Sequence, residues 1–186
     1  MDAKEIIKDA KRRMDGAISA FHDELVKIRT GRATPNLLDG VKVEYYGQKV
    51  PLNQVATITA PEPRLIVIQP WEKKMLAEIE KEILKADLGF NPSNDGNVIR
   101  IPIPPLSEER RKDLVKLVHK FAEDARIAVR NVRRDANDHL KKLEKDHQIS
   151  EDELSVYLDE VQELTDDHIK KIDEMMKDKE AEILKV

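Results

Sequence analysis

The chain has 186 residues, of which 38% are charged and only 4% are aromatic, and it contains no cysteine. This composition excludes disulfides, thiolate metal sites and cysteine nucleophiles, while 40% hydrophobic residues are enough to form a buried core. The net charge of −4 is an average over unlike segments, because residues 107–146 carry +3 and residues 147–186 carry −8. A mildly acidic chain is therefore compatible with a basic surface on one segment.

The chain shows no sign of a membrane or secretory role. No apolar run approaches the roughly 20 residues that a membrane-spanning helix needs, and the first residues do not resemble a signal peptide. We therefore expect a cytoplasmic protein without a membrane partner.

Residues 3–29 are predicted to form one amphipathic helix. Apolar side chains recur at steps of three and four residues, which places them on one face: Ile7, Ala10, Met14, Ile18, Phe21, Leu25 and Ile28. The segment from Thr30 to Pro35 should end this helix, since Gly31 can adopt a left-handed cap and Pro35 cannot continue the helix.

From residue 41 the apolar period changes to two, which predicts a small α+β unit. Between its strands we expect a helix over residues 73–85 and a turn over residues 91–96, where asparagine, proline and glycine cluster. The predicted strands are the β-branched or alternating runs Val41–Tyr45, Val55–Thr59, Leu65–Ile68 and Val98–Ile101.

The helical period returns at Ser107 and holds to the end, which predicts two long helices. On the first, the apolar face is predicted to contain Leu114, Leu117, Phe121, Ala125, Ala128, Val132, Ala136, Leu140 and Leu143. The second should begin at Ser150, which forms an S-x-x-E capping box with Glu153. Its apolar face is predicted to contain Leu154, Tyr157, Val161, Leu164, His168, Ile172, Met175 and Ile183.

Three long amphipathic helices can bury their apolar faces only against one another. We therefore predict an α+β protein with an antiparallel three-helix bundle of residues 1–30 and 106–186. Residues 31–105 would form an inserted β/α/β domain on a hinge of two neighbouring links. The residues that suggest the hinge are Gly31, Pro35, Pro104 and Pro105.

The sequence contains no recognised catalytic motif. The five histidines show no H-E-x-x-H spacing, and the glycine-rich nucleotide-binding and G-x-S-x-G nucleophile motifs are absent. His168 lies on an apolar face, where a core histidine is more common than a metal ligand. We therefore predict no enzymatic activity, no cofactor, no metal and no small-molecule substrate.

The most informative cluster is four arginines within nine residues: Arg126, Arg130, Arg133 and Arg134. With Phe121 at the centre of the core face, a projection at roughly 100° per residue turns all four away from the bundle. A guanidinium group forms a planar donor fork that suits phosphate better than lysine does. Because aromatic platforms for single strands are missing, double-helical RNA is the better candidate partner.

The residues by themselves leave two alternatives open. The arginines could be an ordinary solvated helix face, or they could pair with an acidic protein that a helical adaptor binds. From the residues alone, the interpretation is a helical RNA-binding or assembly factor.

Several longer motifs closely resemble the bacterial ribosome recycling factor family. They are Lys27-Ile28-Arg29-Thr30-Gly31-Arg32-Ala33, Val43-Glu44-Tyr45-Tyr46-Gly47, Asp87-Leu88-Gly89, Pro104-Pro105-Leu106-Ser107-Glu108-Glu109-Arg110-Arg111-Lys112 and Ala128-Val129-Arg130-Asn131-Val132-Arg133-Arg134-Asp135-Ala136-Asn137-Asp138. The resemblance runs the full length, with the same order of helix, inserted unit and two helices.

The resemblance implies an L-shaped, monomeric factor that binds the 50S subunit of the post-termination ribosome. With elongation factor G and GTP, such factors split the ribosome so that mRNA and deacylated tRNA leave. Carried over by motif, Arg130 and Arg133 would be the principal contacts to 23S rRNA. Supporting contacts would come from Arg126, Arg134, Arg110, Arg29 and Arg32.

Overall fold

The computed structural model describes residues 1–185 and confirms the α+β class. The helices are α1 (Ala3–Lys27), α2 (Leu76–Lys85), α3 (Glu108–Lys145) and α4 (Glu151–Lys185). The strands are β1 (Lys42–Tyr45), β2 (Gln48–Pro51), β3 (Ala56–Glu62), β4 (Leu65–Pro70), β5 (Ser93–Asn94) and β6 (Ile99–Pro102). The described residues divide into two compact units, Met1–Arg29 with Glu108–Lys185 and Thr30–Ser107.

The first unit is the three-helix bundle of α1, α3 and α4. α3 and α4 run antiparallel, since His119 faces Glu180 while Arg126, two turns further along α3, reaches back to Asp173. The predicted capping box of α4 is confirmed: the Ser150 hydroxyl accepts from the backbone N–H of Glu153 at 3.0 Å, and the Glu153 carboxylate accepts from the backbone N–H of Ser150 at 3.2 Å.

The buried face of α3 differs from its prediction. Phe121 and Ala128 are only half-buried, whereas Val118, Ala122 and Val129 are fully buried. Because α3 packs against both α1 and α4, its buried face lies between two neighbours and is turned by roughly 40° toward the side that carries the arginines, at about 100° per residue.

The other two helices bury most of the predicted residues. On α1, Ile6 rather than Ile7 is buried, while Ala10, Met14 and the residues that follow at three- and four-residue steps keep their predicted places. On α4 the buried set includes Thr165, which a hydropathy pattern overlooks. Its hydroxyl donates to the carbonyl oxygen of Val161 at 2.8 Å, so the buried polar group is paired.

The second unit contains two antiparallel sheets and helix α2. β1 and β2 form a hairpin, and the other four strands pair in the order β3-β4-β6-β5. The short strands β2 and β5 were not predicted, because β2 begins directly after Gly47, a residue typical of turns, and β5 lies within the turn predicted over residues 91–96. β3 extends through Pro61 to Glu62, where proline is tolerated because β3 is an edge strand with an irregular register.

The core of this unit is formed by the four-stranded sheet, the β1–β2 hairpin and α2. Alternating isoleucines of β4 and β6 are fully buried, as the period of two predicts, and they pack with apolar residues of α2. The fully buried members are Val43, Leu52, Ile66, Ile68, Ile79, Ile83, Ile99 and Ile101.

Both links at the edge of the second unit contact one turn between β3 and β4. The backbone N–H of Ala33 donates to the carbonyl oxygen of Pro63 at 2.7 Å, and that of Ile103 donates to the carbonyl oxygen of Arg64 at 2.8 Å. Gly31 adopts a φ of 78°, a left-handed conformation that favours glycine. These bonds hold the two links side by side within the second unit.

The remaining predicted hinge residues lie in these links. Pro35 begins a short 3-10 turn, Pro35–Leu38, where its missing N–H costs nothing. Pro104 and Pro105 are exposed in the stretch between β6 and α3 that has no regular secondary structure. The hinge itself stays a prediction.

Candidate nucleic-acid interface

Helix α3 presents three of its four clustered arginines to solvent. Arg134 is exposed, Arg130 and Arg133 are half-buried, and their spacing along the helix places them on neighbouring turns. Among the described residues, Arg133 and Arg134 form no hydrogen bond or ion pair. Their donors are therefore available to an external acceptor such as a phosphate oxygen.

The predicted outward orientation of Arg126 is wrong. Its side chain is only 17% exposed and turns toward α4, where Nε and Nη2 both donate to Oδ1 of Asp173, at 2.9 and 2.6 Å. The physical reason is the turned buried face of α3, which moves Arg126 from the outer surface to the flank that contacts α4. In this structure Arg126 joins two helices of the bundle.

The electrostatics around Arg126 favour its charged form. Burial by itself lowers the pKa of Arg126, but hydrogen bonds to Asp173 and Glu123 outweigh burial and raise that pKa above its usual value. The guanidinium is thus a fixed positive charge whose nearest partners are two carboxylates.

Glu123 lies between two of the arginines on α3. Its Oε2 accepts from Nη1 of Arg126 at 3.1 Å, and its Oε1 lies 3.5 Å from Nη1 of Arg130. The second contact is at the long limit of a hydrogen bond, so Arg130 is held loosely and stays 42% exposed.

The other predicted RNA contacts are exposed but come from different segments. Arg110 lies in the first turn of α3, in the bundle unit. Arg29 and Arg32 are both exposed just beyond the end of α1, and neither forms an ion pair with another described residue. Arg29 belongs to the bundle unit and Arg32 to the α+β unit.

His168 occupies a boundary of the bundle, as its place on the apolar face predicts. It is 8% exposed, with Nδ1 2.6 Å from the carbonyl oxygen of Leu164 and Nε2 2.7 Å from Oδ1 of Asp15. Hydrogen bonds from Lys11 and then from His168 hold the pKa of Asp15 below its usual value. The histidine thereby connects α4 to α1.

Beside this histidine lies an open groove of about 710 Å³, lined among others by Asp15, Ser19, His22, Asp167 and Lys171. Across residues 1–185, no group of three or more histidines or carboxylates is arranged to hold a metal ion. In the same range, no helix is both long and apolar enough to cross a membrane.

Sequence reasoning missed Asp173 and Asp15 as partners of functional or buried groups. Glu123 is the main acid on the arc of α3 that the projection turns outward, and it precedes Arg126 by three residues and Arg130 by seven on one helix. Asp173 and Asp15 face their partners across helix interfaces, so no local pattern marks them.

The sequence matches the family model described as ribosome recycling factor over residues 21–184. It is 60% identical to the ribosome-recycling factor of Geobacillus kaustophilus (strain HTA426), over 99% of this chain and 100% of that protein. It is 57% identical to the ribosome-recycling factor of Bacillus subtilis (strain 168), with the same coverage.

Two solved structures share the fold. A solution structure of the ribosome recycling factor is 45% identical, with a TM-score of 0.71, covering 100% of this chain and 99% of the other. The second comprises models for the T. thermophilus ribosome recycling factor and the E. coli elongation factor G bound to the E. coli post-termination complex. It matches with 50% identity and a TM-score of 0.62, over 99% of this chain and 100% of that one. The chain belongs to the ribosome recycling factor family.

Proposed function

We propose that this chain binds the post-termination ribosome and, together with elongation factor G and GTP, splits it into subunits so that mRNA and deacylated tRNA are released. Family membership over almost the entire chain supports this function. A relative of the same fold, 50% identical, is bound to a post-termination complex together with elongation factor G. Binding energy and motion of the inserted domain would drive the reaction.

The observation that carries the proposal is the arginine surface of α3, defined as Arg130, Arg133 and Arg134. Arg133 and Arg134 have no carboxylate partner among the described residues, and Arg130 has only a long contact. Exposed guanidinium forks at helical spacing suit the phosphates of a structured RNA. We infer that Arg130 and Arg133 are the principal contacts to 23S rRNA of the 50S subunit, with Arg134, Arg110, Arg29 and Arg32 in support.

Arg126 would act differently from the other members of the motif. Since both of its Asp173 contacts join α3 to α4, its supporting role would be to hold the helix that carries the arginine surface. A direct bond from Arg126 to RNA would require it to leave Asp173.

We propose that the two domains have different functions. Residues 1–30 and 106–186 would bind RNA, and residues 31–105 would be the domain that elongation factor G moves. Gly31, Pro35, Pro104 and Pro105 would form the hinge. Because Ala33 and Ile103 are both bonded to the turn at Pro63 and Arg64, we expect the pivot to lie outside those bonds, toward the bundle.

We also infer that the chain performs no chemistry of its own and acts as a monomer in the cytoplasm. GTP hydrolysis would belong to elongation factor G.

A ribosome-splitting assay tests the function directly. Post-termination ribosomes are incubated with the chain, with and without elongation factor G and GTP, and light scattering follows subunit dissociation. We expect dissociation only with both factors. Arg133→Ala should reduce it, while Arg12→Ala, an exposed arginine on α1 that pairs with Asp9, serves as the matched control. Equal activity of Arg133→Ala and the intact chain would contradict the proposed interface.

Sedimentation with 50S subunits over a series of salt concentrations tests RNA binding against the alternative, in which this chain is a helical adaptor that binds an acidic protein. Contacts to phosphates release counterions, so affinity should fall steeply as salt rises. Binding that is equally tight on 50S particles and on an acidic protein would favour the adaptor instead.

A further inference from the structure

Four charged side chains form a continuous network of contacts from α4 to the arginine surface. Asp173 accepts two hydrogen bonds from Arg126, at 2.9 and 2.6 Å. Arg126 donates in turn to Glu123 at 3.1 Å, and the other oxygen of Glu123 lies 3.5 Å from Arg130. The charges alternate in sign along this network, and only its last member, Arg130, belongs to the arginine surface.

This network of charged side chains is most rigid at its inner end, the Arg126–Asp173 pair. Arg126 is 17% exposed, its Nη2 also contacts Sδ of Met176 at 3.5 Å, and its guanidinium is fixed between two helices. Glu123 is 52% exposed, so by itself it would sample several rotamers. The bond from a fixed arginine restricts it and sets the place of its second oxygen, beside Arg130.

The contact from Glu123 restricts the rotamers of Arg130 but does not hold its guanidinium tightly enough to keep it from a phosphate. An arginine side chain loses rotamer entropy when it is ordered, and a partner that restricts it beforehand reduces that loss on binding. At 3.5 Å the Glu123 contact is long, so a phosphate at normal charge-assisted distance can replace it.

We propose that Glu123 is a positioning residue for RNA binding. The fixed Arg126–Asp173 pair holds Glu123 in place, and Glu123 in turn orients Arg130 toward phosphate. This inference rests on the proposed function of the arginine surface. It predicts that removal of the Glu123 carboxylate lowers the affinity for RNA, although a carboxylate near RNA phosphates should repel them. Removing a bystander carboxylate would strengthen binding, whereas removing a positioning carboxylate weakens it.

The experiment measures the affinity of the full chain for purified 50S subunits in four proteins: the intact chain, Glu123→Gln, Arg130→Ala and the double variant. Asp124→Asn is the matched control, since Asp124 is the exposed neighbouring acid on α3 and forms no ion pair with a described residue. Circular dichroism verifies that each variant keeps the helical content of the intact chain. The dependence of affinity on salt is recorded for each protein, because a change in folding stability would not alter the number of phosphates contacted.

We expect Glu123→Gln to weaken binding by about three- to ten-fold, the range for ordering one long side chain, and to reduce the salt dependence toward that of Arg130→Ala. In the Arg130→Ala background the same substitution should have no further effect. Asp124→Asn should bind as tightly as the intact chain or slightly more tightly.

Two results of the Glu123→Gln substitution would overturn the inference. Glu123→Gln could bind as tightly as the intact chain, or more tightly, or it could weaken binding equally with and without Arg130. If Arg130→Ala leaves 50S affinity unchanged, the proposed arginine interface fails, and the positioning role fails with it. If Arg130→Ala weakens binding and Glu123→Gln does not, only the positioning role fails.

Discussion

Arg126 of α3 directs two of its nitrogens at a single carboxylate oxygen of Asp173 on α4, at 2.9 and 2.6 Å. Two donors on one oxygen form a strong charge-assisted contact, and the arginine is mostly shielded from solvent. An arginine that the sequence groups with the predicted RNA contacts is therefore part of the bundle structure. This division within one motif has direct consequences for mutation.

Replacing Arg126 with alanine should destabilise the bundle. The substitution leaves Asp173 without its partner and removes a side chain packed between two helices, which we expect to cost about 1–2 kcal/mol of unfolding free energy. Urea unfolding followed by circular dichroism at 222 nm measures this change. Arg134→Ala is the control, since Arg134 is exposed and unpaired and should change the free energy by less than about 0.5 kcal/mol. Equal stability of the two variants would show that the Asp173 contact contributes nothing.

Gly31→Ala should destabilise the α+β unit for two separable reasons. Gly31 has a φ of 78°, which costs an alanine about 1–2 kcal/mol, and a Cβ there would lie 2.9 Å from Cγ of Leu106. Urea unfolding followed by fluorescence of Trp71, the single tryptophan of the chain, reports on this unit.

A matched glycine separates the two causes. Gly40 has a φ of 90° but open space around a built Cβ, so Gly40→Ala should show the conformational cost alone. Adding Leu106→Ala to Gly31→Ala removes the clash, and the combined loss should then be smaller than the sum of the two single losses. A strictly additive result would mean that Leu106 moves aside without cost.

Asp95 should contribute stability that disappears in acid. The backbone N–H groups of Val98 and Asn97, and then the side chain of Arg100, lower the pKa of Asp95 to about 2. The usual value in an unfolded chain is 3.8, so this contribution is complete above about pH 4 and is lost as the pH falls through 2.

Asp95→Ala should therefore lower the urea midpoint of Trp71 fluorescence at pH 7, and the difference from the intact chain should narrow below pH 4. Asp39→Ala is the control, because Asp39 is exposed in the same unit and its side chain has no partner among the described residues. A difference that is constant from pH 7 to pH 2 would contradict the assignment of the effect to the Asp95 carboxylate.

Asp15→Ala should weaken the contact between α1 and α4. The substitution removes the acceptor 2.7 Å from Nε2 of the buried His168, which we expect to cost about 1 kcal/mol of unfolding free energy at pH 7. Because Lys11 and His168 lower the pKa of Asp15, its contribution is present above about pH 4 and is lost in stronger acid. Circular dichroism of urea unfolding measures the difference, with the exposed Asp23→Ala on the same helix as control.

The sequence predicted the helices of the bundle closely, because 25 to 38 residues provide many turns over which the apolar period repeats. The capping box at Ser150 is likewise a local feature that needs no tertiary information. The short strands β2 and β5 were missed because β2 directly follows the glycine turn at Gly47 and β5 lies within the turn predicted over residues 91–96.

The sequence by itself determined the class of fold, the arginine cluster and the family to which the chain belongs, since all three are carried by residue types at fixed spacings. Which of the four arginines turn outward was decided only by the tertiary structure. α3 packs between two helices, so its buried face lies between the two directions of contact, and no projection of one helix contains that information. The same packing brings Asp173 to Arg126 and Asp15 to His168, across separations of 47 and 153 residues, because side-chain pairs of that kind form only after the helices have met.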